Sequence, residues 1–272
     1  MKISKIINAF ALTLAISTSA WSQSKNYQTL NIPLSHPGEN YTLNVRLIRG
    51  SITISGYEGN DLVLERETVK ELKGKQKSTL NNTSAISFVD LPIHVEQVNN
   101  QVIISEQSGE ISNVILRVPK HKVVLKLSME KKGDIVVDSV EGVLEIANVN
   151  GFIQLNSISG SVVASTVNGT IKVIFKTINQ KAAMAFSTLR GDVDVTFPKS
   201  LNANLKLKSD KGEILSAFKT TDINHQYKTD QSIVVDMYKL PSKDWYYWIA
   251  GNGGPDILLK TTFGRIYIRK LR

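Results

Sequence analysis

Between Gly133 and Gly169 the chain repeats a nine-residue pattern of apolar and polar positions: GDIVVDSVE, GVLEIANVN, GFIQLNSIS and GSVVASTVN, followed by GTIKVIF. Glycine opens each unit. Positions 3, 5 and 8 are apolar: Ile135, Val137 and Val140; Leu144, Ile146 and Val149; Ile153, Leu155 and Ile158; Val162, Ala164 and Val167; then Ile171 and Val173. Alternation at 3 and 5 puts two side chains on one face of a strand, and the regular glycines and many β-branched residues disfavour helix. A straight strand would also bury position 7, yet that position holds Ser139, Asn148, Ser157 and Thr166. The pattern therefore predicts a bend between positions 5 and 8 of every unit. A chain that turns a corner in each unit winds into a solenoid instead of folding back as a meander of hairpins. Polar side chains stacked in register at such corners are expected to satisfy backbone groups.

The glycines fall into two classes. Gly133, Gly151, Gly169, Gly191 and Gly212 form one, and Gly142 and Gly160 the other, whose later equivalents are replaced by KTINQKAA (176–183) and FPKSLNAN (197–204). Insertions have entered alternate corners only. The prediction is an all-β, parallel β-solenoid of about 18–22 residues and two strands per coil, with one tight edge and one edge free to grow loops. Gly50 and Gly59 are again nine apart, which starts the winding near residue 45. The expected organisation is N-terminal strands or a cap over 23–44 and the solenoid over 45–272, with a loop insertion at 71–92 and an aromatic insertion at 222–251.

The first residues change the compartment. Lys2 and Lys5 precede an apolar run from Ile6 to Ile16 and then small residues to Ala20 and Ser22, the pattern of a secretory signal peptide over 1–22. That run is too short for a membrane span, and no later segment is apolar enough for a transmembrane anchor. With no cysteine in the chain, lipid anchoring through cysteine, disulfides and thiolate metal sites are all excluded. The expectation is export to the periplasm, the cell surface or the medium. The formal charge of +9 becomes +7 once Lys2 and Lys5 leave with the leader. The lysines are spread along strands such as LKLK (205–208), as on a solvated face, so nucleic acid is not an expected partner.

The VNG and ISG beat, the stretch VTFPKSLNANLKLKSDKGEI (195–214) and the ending GNGGPDILLKTTFGRIYIRK (251–270) resemble the bacterial putative-adhesin domains of unknown function. The resemblance covers roughly residues 42–272. It implies a right-handed β-solenoid exported to the cell envelope, a hand that parallel crossovers also favour, and it brings no catalytic residues. The chain departs from the family pattern at Thr261–Gly264, where TTFG stands for TVNG. That change keeps the turn glycine, Gly264, and removes the asparagine.

Little catalytic chemistry is written in the chain. His36, His94, His121 and His225 have no partner at metal-ligand spacing. Asp134 and Asp192 follow their glycines singly, unlike the paired acids of a calcium-binding nonapeptide roll. No nucleophile elbow, phosphate loop or nucleotide fingerprint is present. Neither a metal nor a cofactor is expected. If one wall of the solenoid carried catalysis, Asp192 and Asp194 beside Lys172 would be its closest approach to a cluster.

DWYYWIAG (244–251) concentrates the aromatic residues. Trp245, Tyr246, Tyr247 and Trp248 could stack on sugar rings or dock a partner, or they could cap the apolar core left open at the last coil. Lys260, Arg265, Arg269, Lys270 and Arg272 make the C-terminus basic, as a polyanion site or as solvated protection of edge strands. The sequence thus reads as a non-enzymatic, exported envelope scaffold or adhesin-like module. Its partner would be an envelope or host glycan or another envelope protein, and its oligomeric state is open. The alternative is a carbohydrate-active solenoid enzyme acting on envelope or host polysaccharide.

Overall fold

The structure is a computed structural model that describes residues 27–67, 75–80, 83–88, 93–106, 111–218, 221–222, 232–234, 237–240 and 245–272, with side chains for 29–65, 93–106, 111–218, 237–239 and 245–272. Residues 1–26, where the signal peptide is expected, His225 and parts of 71–92 and 222–251 lie outside the described residues. Those residues form strands joined by turns, with no helix among them, so none is long and apolar enough to cross a membrane.

Two parallel sheets face each other across an apolar core. Long strands serve both, because Tyr41–Tyr57, Val123–Asp138 and Ile153–Asn168 each run over a corner. In the back sheet, register aligns Ile52, Ile135, Ile153, Ile171, Val193, Ile266 and Ile214 across successive strands. In the front sheet, Val45, Leu127, Ile146, Ala164, Phe186, Leu259 and Leu207 form the equivalent row. All are buried. At the middle of the core the Phe175 ring stacks on Phe197 at 5.6 Å and meets Phe186 edge-on at 6.3 Å. Such a core is continuous along the axis, so each coil depends on its neighbours for burial.

The expected bend occurs in alternate units only. In the back sheet, Ser139 and Ser157 take positive φ (56° and 55°), and the chain turns there to bury Val140 and Ile158. In the front sheet the strand stays straight and position 7 goes inside: Asn148 and Thr166 are buried, Val149 is half-buried and Val167 is 39% exposed. Polar side chains are tolerated there because each meets a backbone acceptor. Asn148 Nδ2 donates to Gly133 O at 2.8 Å and Thr166 Oγ1 to Gly151 O at 3.3 Å. Further along, Thr188 Oγ1 donates to Gly169 O, Thr261 Oγ1 to Gly191 O and Ser209 Oγ to Gly264 O, at 2.8–2.9 Å.

Those carbonyls belong to the tight edge, where glycines stack directly. A Cβ on Gly133 would stand 1.9 Å from Gly50 O; the same contact recurs from Gly151 to Gly133, Gly169 to Gly151, Gly191 to Gly169, Gly264 to Gly191 and Gly212 to Gly264, at 1.8–2.1 Å. At the opposite edge, a Cβ on Gly142 would meet Val123 O and one on Gly160 would meet Gly142 O.

The order of coils in space differs from their order in sequence at both ends. Strand Asp256–Phe263 lies between Met184–Arg190 and Ala203–Ser209, and Ile266–Lys270 lies between Val193–Phe197 and Ile214–Ser216. The last coil of the chain is therefore inserted beneath the coil that precedes it in sequence, and Gly264 separates Gly191 from Gly212. At the other end, Tyr41–Tyr57 is held between the Gln101–Glu106 and Ile111–Pro119 strands on one side and Val123–Asp138 on the other. Both long excursions, 58–100 and 217–255, leave from the end of a back strand and return to the start of a front strand, the same edge that holds 179–183 and 198–202. Antiparallel strands close the ends: Ile93–Val98 and Asp61–Glu67 at one, Tyr246–Ala250 and Met237–Leu240 at the other.

Gly169→Ala is expected to destabilise the protein by about 2–4 kcal/mol, since the new methyl meets fixed backbone. Gly38→Ala, whose Cβ meets nothing within 4 Å but whose φ is +82°, should cost only about 1–2 kcal/mol of left-handed strain. Urea denaturation of the two variants beside the wild type checks the difference.

Candidate functional site

Strand Tyr246–Ala250 pairs antiparallel with Ala203–Ser209 at the end of the front sheet, setting Tyr246 opposite Leu207, Trp248 opposite Leu205 and Ala250 opposite Ala203. Period-two alternation then divides the aromatic cluster. Tyr246 and Trp248 are 8% and 2% exposed and extend the core past the last wound coil. Tyr247 is 42% exposed and Trp245 half-buried. Lys206 Nζ lies 4.4 Å from the centre of the Trp245 ring and 5.4 Å from that of Tyr247, while Lys208 Nζ lies 5.4 Å from Trp245. These are cation–π distances. Of the four aromatics, two therefore face the core and two face outward over lysines.

Lys206 and Lys208 were visible in the sequence only as part of a solvated face. Their meeting with Trp245 and Tyr247 depends on an antiparallel strand returning from a long excursion, which no local pattern announces. Lys260 joins them because Asp256–Phe263 is inserted beside Ala203–Ser209, with Lys260 in register with Lys208 and Leu258 in register with Lys206. Lys208 Nζ also pairs with Asp210 Oδ1 at 3.2 Å.

The acidic candidates serve the backbone and ion pairs. Asp134 Oδ1 accepts Phe152 N–H at 3.0 Å, and Asp192 Oδ1 accepts Arg265 N–H at 2.7 Å, each bridging two coils just past the glycine edge. Asp194 Oδ1 accepts Arg269 Nε–H at 2.7 Å. Lys172 is in register with Asp194 on the neighbouring strand, but the inserted coil places Arg265 and Arg269 on the other side of the two aspartates, where the sequence order would have placed Glu213. Glu213 instead receives Lys239 at 2.6 Å and lies 3.9 Å from Arg265. The Lys239 hydrogen bond, with its charge and that of Arg265, holds the Glu213 carboxyl below its ordinary range. Of the basic C-terminal residues, Lys260 alone joins the aromatic patch. Arg265 and Arg269 flank Tyr267, and Lys270 lies over Phe218 at 4.8 Å.

Of the histidines, His121 Nδ1 lies 2.7 Å from Glu141 Oε2 and its Nε2 3.7 Å from Glu58 Oε2, on the exposed edge. Asn100 holds the His36 backbone through N–H and C=O alike. His94 sits on strand Ile93–Val98, and His225 lies outside the described residues. Among the described residues, no group of three His, Cys, Asp or Glu side chains could hold a metal ion. The missing asparagine of TTFG also has a structural answer. Asn168 Nδ2 donates to Asn150 Oδ1 at 2.7 Å and Arg190 donates to Asn168 Oδ1 at 3.2 Å, after which the Arg190 guanidinium lies 5.8 Å from the Phe263 ring. A phenyl ring continues the amide ladder because an arginine precedes it.

The division of the aromatics predicts two classes of variant. Trp248→Ala should lower stability by about 3–5 kcal/mol, as expected for a buried aromatic. Trp245→Ala and Tyr247→Ala should each stay within about 1 kcal/mol of wild type. Denaturant midpoints measured at constant m-value separate them.

Comparison with known proteins follows this geometry. Two solved structures are similar over nearly their whole length. One is named a putative cell adhesion protein from Clostridium sporogenes ATCC 15579, 12% identical, with 90% of this chain and 99% of that chain covered at a TM-score of 0.41. The other is named a putative adhesin (BF0245) from Bacteroides fragilis NCTC 9343, 12% identical, with 91% and 98% covered at a TM-score of 0.38. Among curated proteins there is no match. The family model Toastrack DUF4097 matches residues 23–237, most of the chain including its central coils. The chain belongs to the Toastrack DUF4097 family, a family of domains of unknown function.

Proposed function

We propose that this protein is a non-enzymatic, exported scaffold of the bacterial cell envelope that binds a glycan at the open end of its front sheet. The observation that carries the reading is the outward pair Trp245 and Tyr247, set over Lys206 on a rigid sheet while Tyr246 and Trp248 close the core beneath. Aromatic rings held on strands present a flat apolar face at little entropic cost, which suits stacking on sugar rings. Export rests on the basic, apolar and small-residue sequence of 1–22. The enzymatic alternative gains no support from Asp192 and Asp194, whose carboxylates are engaged by Arg265 N–H and Arg269.

Two measurements test the proposal. Protein recovered from the envelope or medium should begin at Gln23; a retained leader would contradict export. Wild-type protein should sediment with insoluble envelope polysaccharide, and the Trp245→Ala/Tyr247→Ala variant should lose at least 10-fold in binding while melting as the wild type does. Undiminished binding by that folded variant would remove the aromatic pair from the account.

A further inference from the structure

We infer that the ligand at this end of the front sheet is an acidic polysaccharide bearing carboxylates, lying across the strands along the solenoid axis. The inference rests on the glycan reading above and adds its charge, direction and length.

Register fixes two parallel lines on the outer surface. One runs from Tyr247 through Lys206 and Leu258 to Ala185, and the other from Lys208 through Lys260 to Ser187. Trp245 flanks the aromatic end of both, within 4.4 Å of Lys206 Nζ and 5.4 Å of Lys208 Nζ. Neighbouring strands are about 4.8 Å apart, so the first line spans roughly 14 Å over three spacings. Together the two lines have rings at one end, cations in the middle and a low floor of Ala185 and Ser187 at the other. This is a flat track, suited to an extended polymer whose weak contacts repeat along its length.

Lys208 is paired with Asp210, and the charge the track offers a ligand is that of Lys206 and Lys260. Among the described residues no carboxylate pairs with Lys206 or Lys260, whereas Lys126, at the far end of the same sheet, is paired with Glu145 at 3.3 Å. Lys206 is exposed with its ammonium over the Trp245 and Tyr247 rings, where a ligand carboxylate is screened less than in open water, and Lys260 is half-buried two residues from Leu258 on the neighbouring strand. The track presents lysines and no arginine forks. Two uncancelled cations over this length match a polymer with a carboxylate on individual sugars better than a nucleic acid strand with a phosphate at every residue.

The test uses the full mature chain, titrated against polygalacturonate, alginate, methyl-esterified polygalacturonate and oligo(dT) at 0.05 and 0.3 M salt. The expected result has three parts. Polygalacturonate or alginate binds at least 10-fold more tightly than the esterified polymer or oligo(dT), and that binding weakens with salt. Lys206→Ala/Lys260→Ala removes the preference for the charged polymer without changing the melting temperature. The control Lys126→Ala behaves as wild type. Equal binding of charged and esterified polymers, with loss in Trp245→Ala, would overturn the acidic ligand and leave the glycan reading standing. Tighter binding of oligo(dT), binding of none of the polymers, or full binding by Lys206→Ala/Lys260→Ala would each overturn the inference.

Discussion

Everything in this molecule is built on the distance between successive turns at its tight edge. Six glycine-to-glycine contacts leave a carbonyl oxygen where the next residue's Cβ would be, at 1.8–2.1 Å. Only a residue without a side chain allows that approach, and the carbonyls brought close are then bound by the hydroxyl or amide three residues before the next glycine. The buried polar row is the complement of the glycine row: Thr166, Thr188, Thr261 and Ser209 satisfy acceptors that the corner would otherwise leave facing the core.

This constraint explains where the chain can change and where it cannot. Among the central coils the tight edge carries one glycine per coil and no inserted residue. The other edge, where Ser139 and Ser157 turn with positive φ, releases the loops 179–183 and 198–202 and both long excursions. The first excursion returns on the outer side of Tyr41–Tyr57, and the second returns between two coils already wound. Because Asp256–Phe263 and Ile266–Lys270 each have wound neighbours on both sides, the C-terminal coil is interior and its last strand is not a free edge. The coil exposed by this exchange, 203–216, is the one that receives the aromatic strand. The proposed binding surface is thus a consequence of how the end of the winding is closed.

The sequence revealed the parallel winding because the nine-residue beat constrains every coil equally. It also showed which edge would accept insertions, since only one glycine class is interrupted. Two features escaped it. The polar position 7 predicts a bend between positions 5 and 8 of every unit because serine, asparagine and threonine look alike as polar residues; the chain bends at Ser139 and Ser157 but buries Asn148 and Thr166 straight. The coil order is the other, because spacing in sequence cannot reveal that Gly264 stands between Gly191 and Gly212. The same limit hid the candidate site: DWYYWIAG marks the aromatics, but only the pairing of Trp248 with Leu205 decides which rings face Lys206.

The interleaved winding is tested most directly by cross-linking, which the absence of native cysteine makes unambiguous. Ser187 is in register with Lys260, and Lys260 with Lys208. Neighbouring strands place Cα atoms about 5 Å apart, within reach of a disulfide, whereas positions two strands apart are roughly 10 Å away and cannot be bridged. Under mild oxidation the Ser187→Cys/Lys260→Cys variant should form an intramolecular disulfide while Ser187→Cys/Lys208→Cys stays reduced. The reverse outcome, with 187 linked to 208 and not to 260, would contradict the account and restore a winding in which coils stack in the order of the sequence.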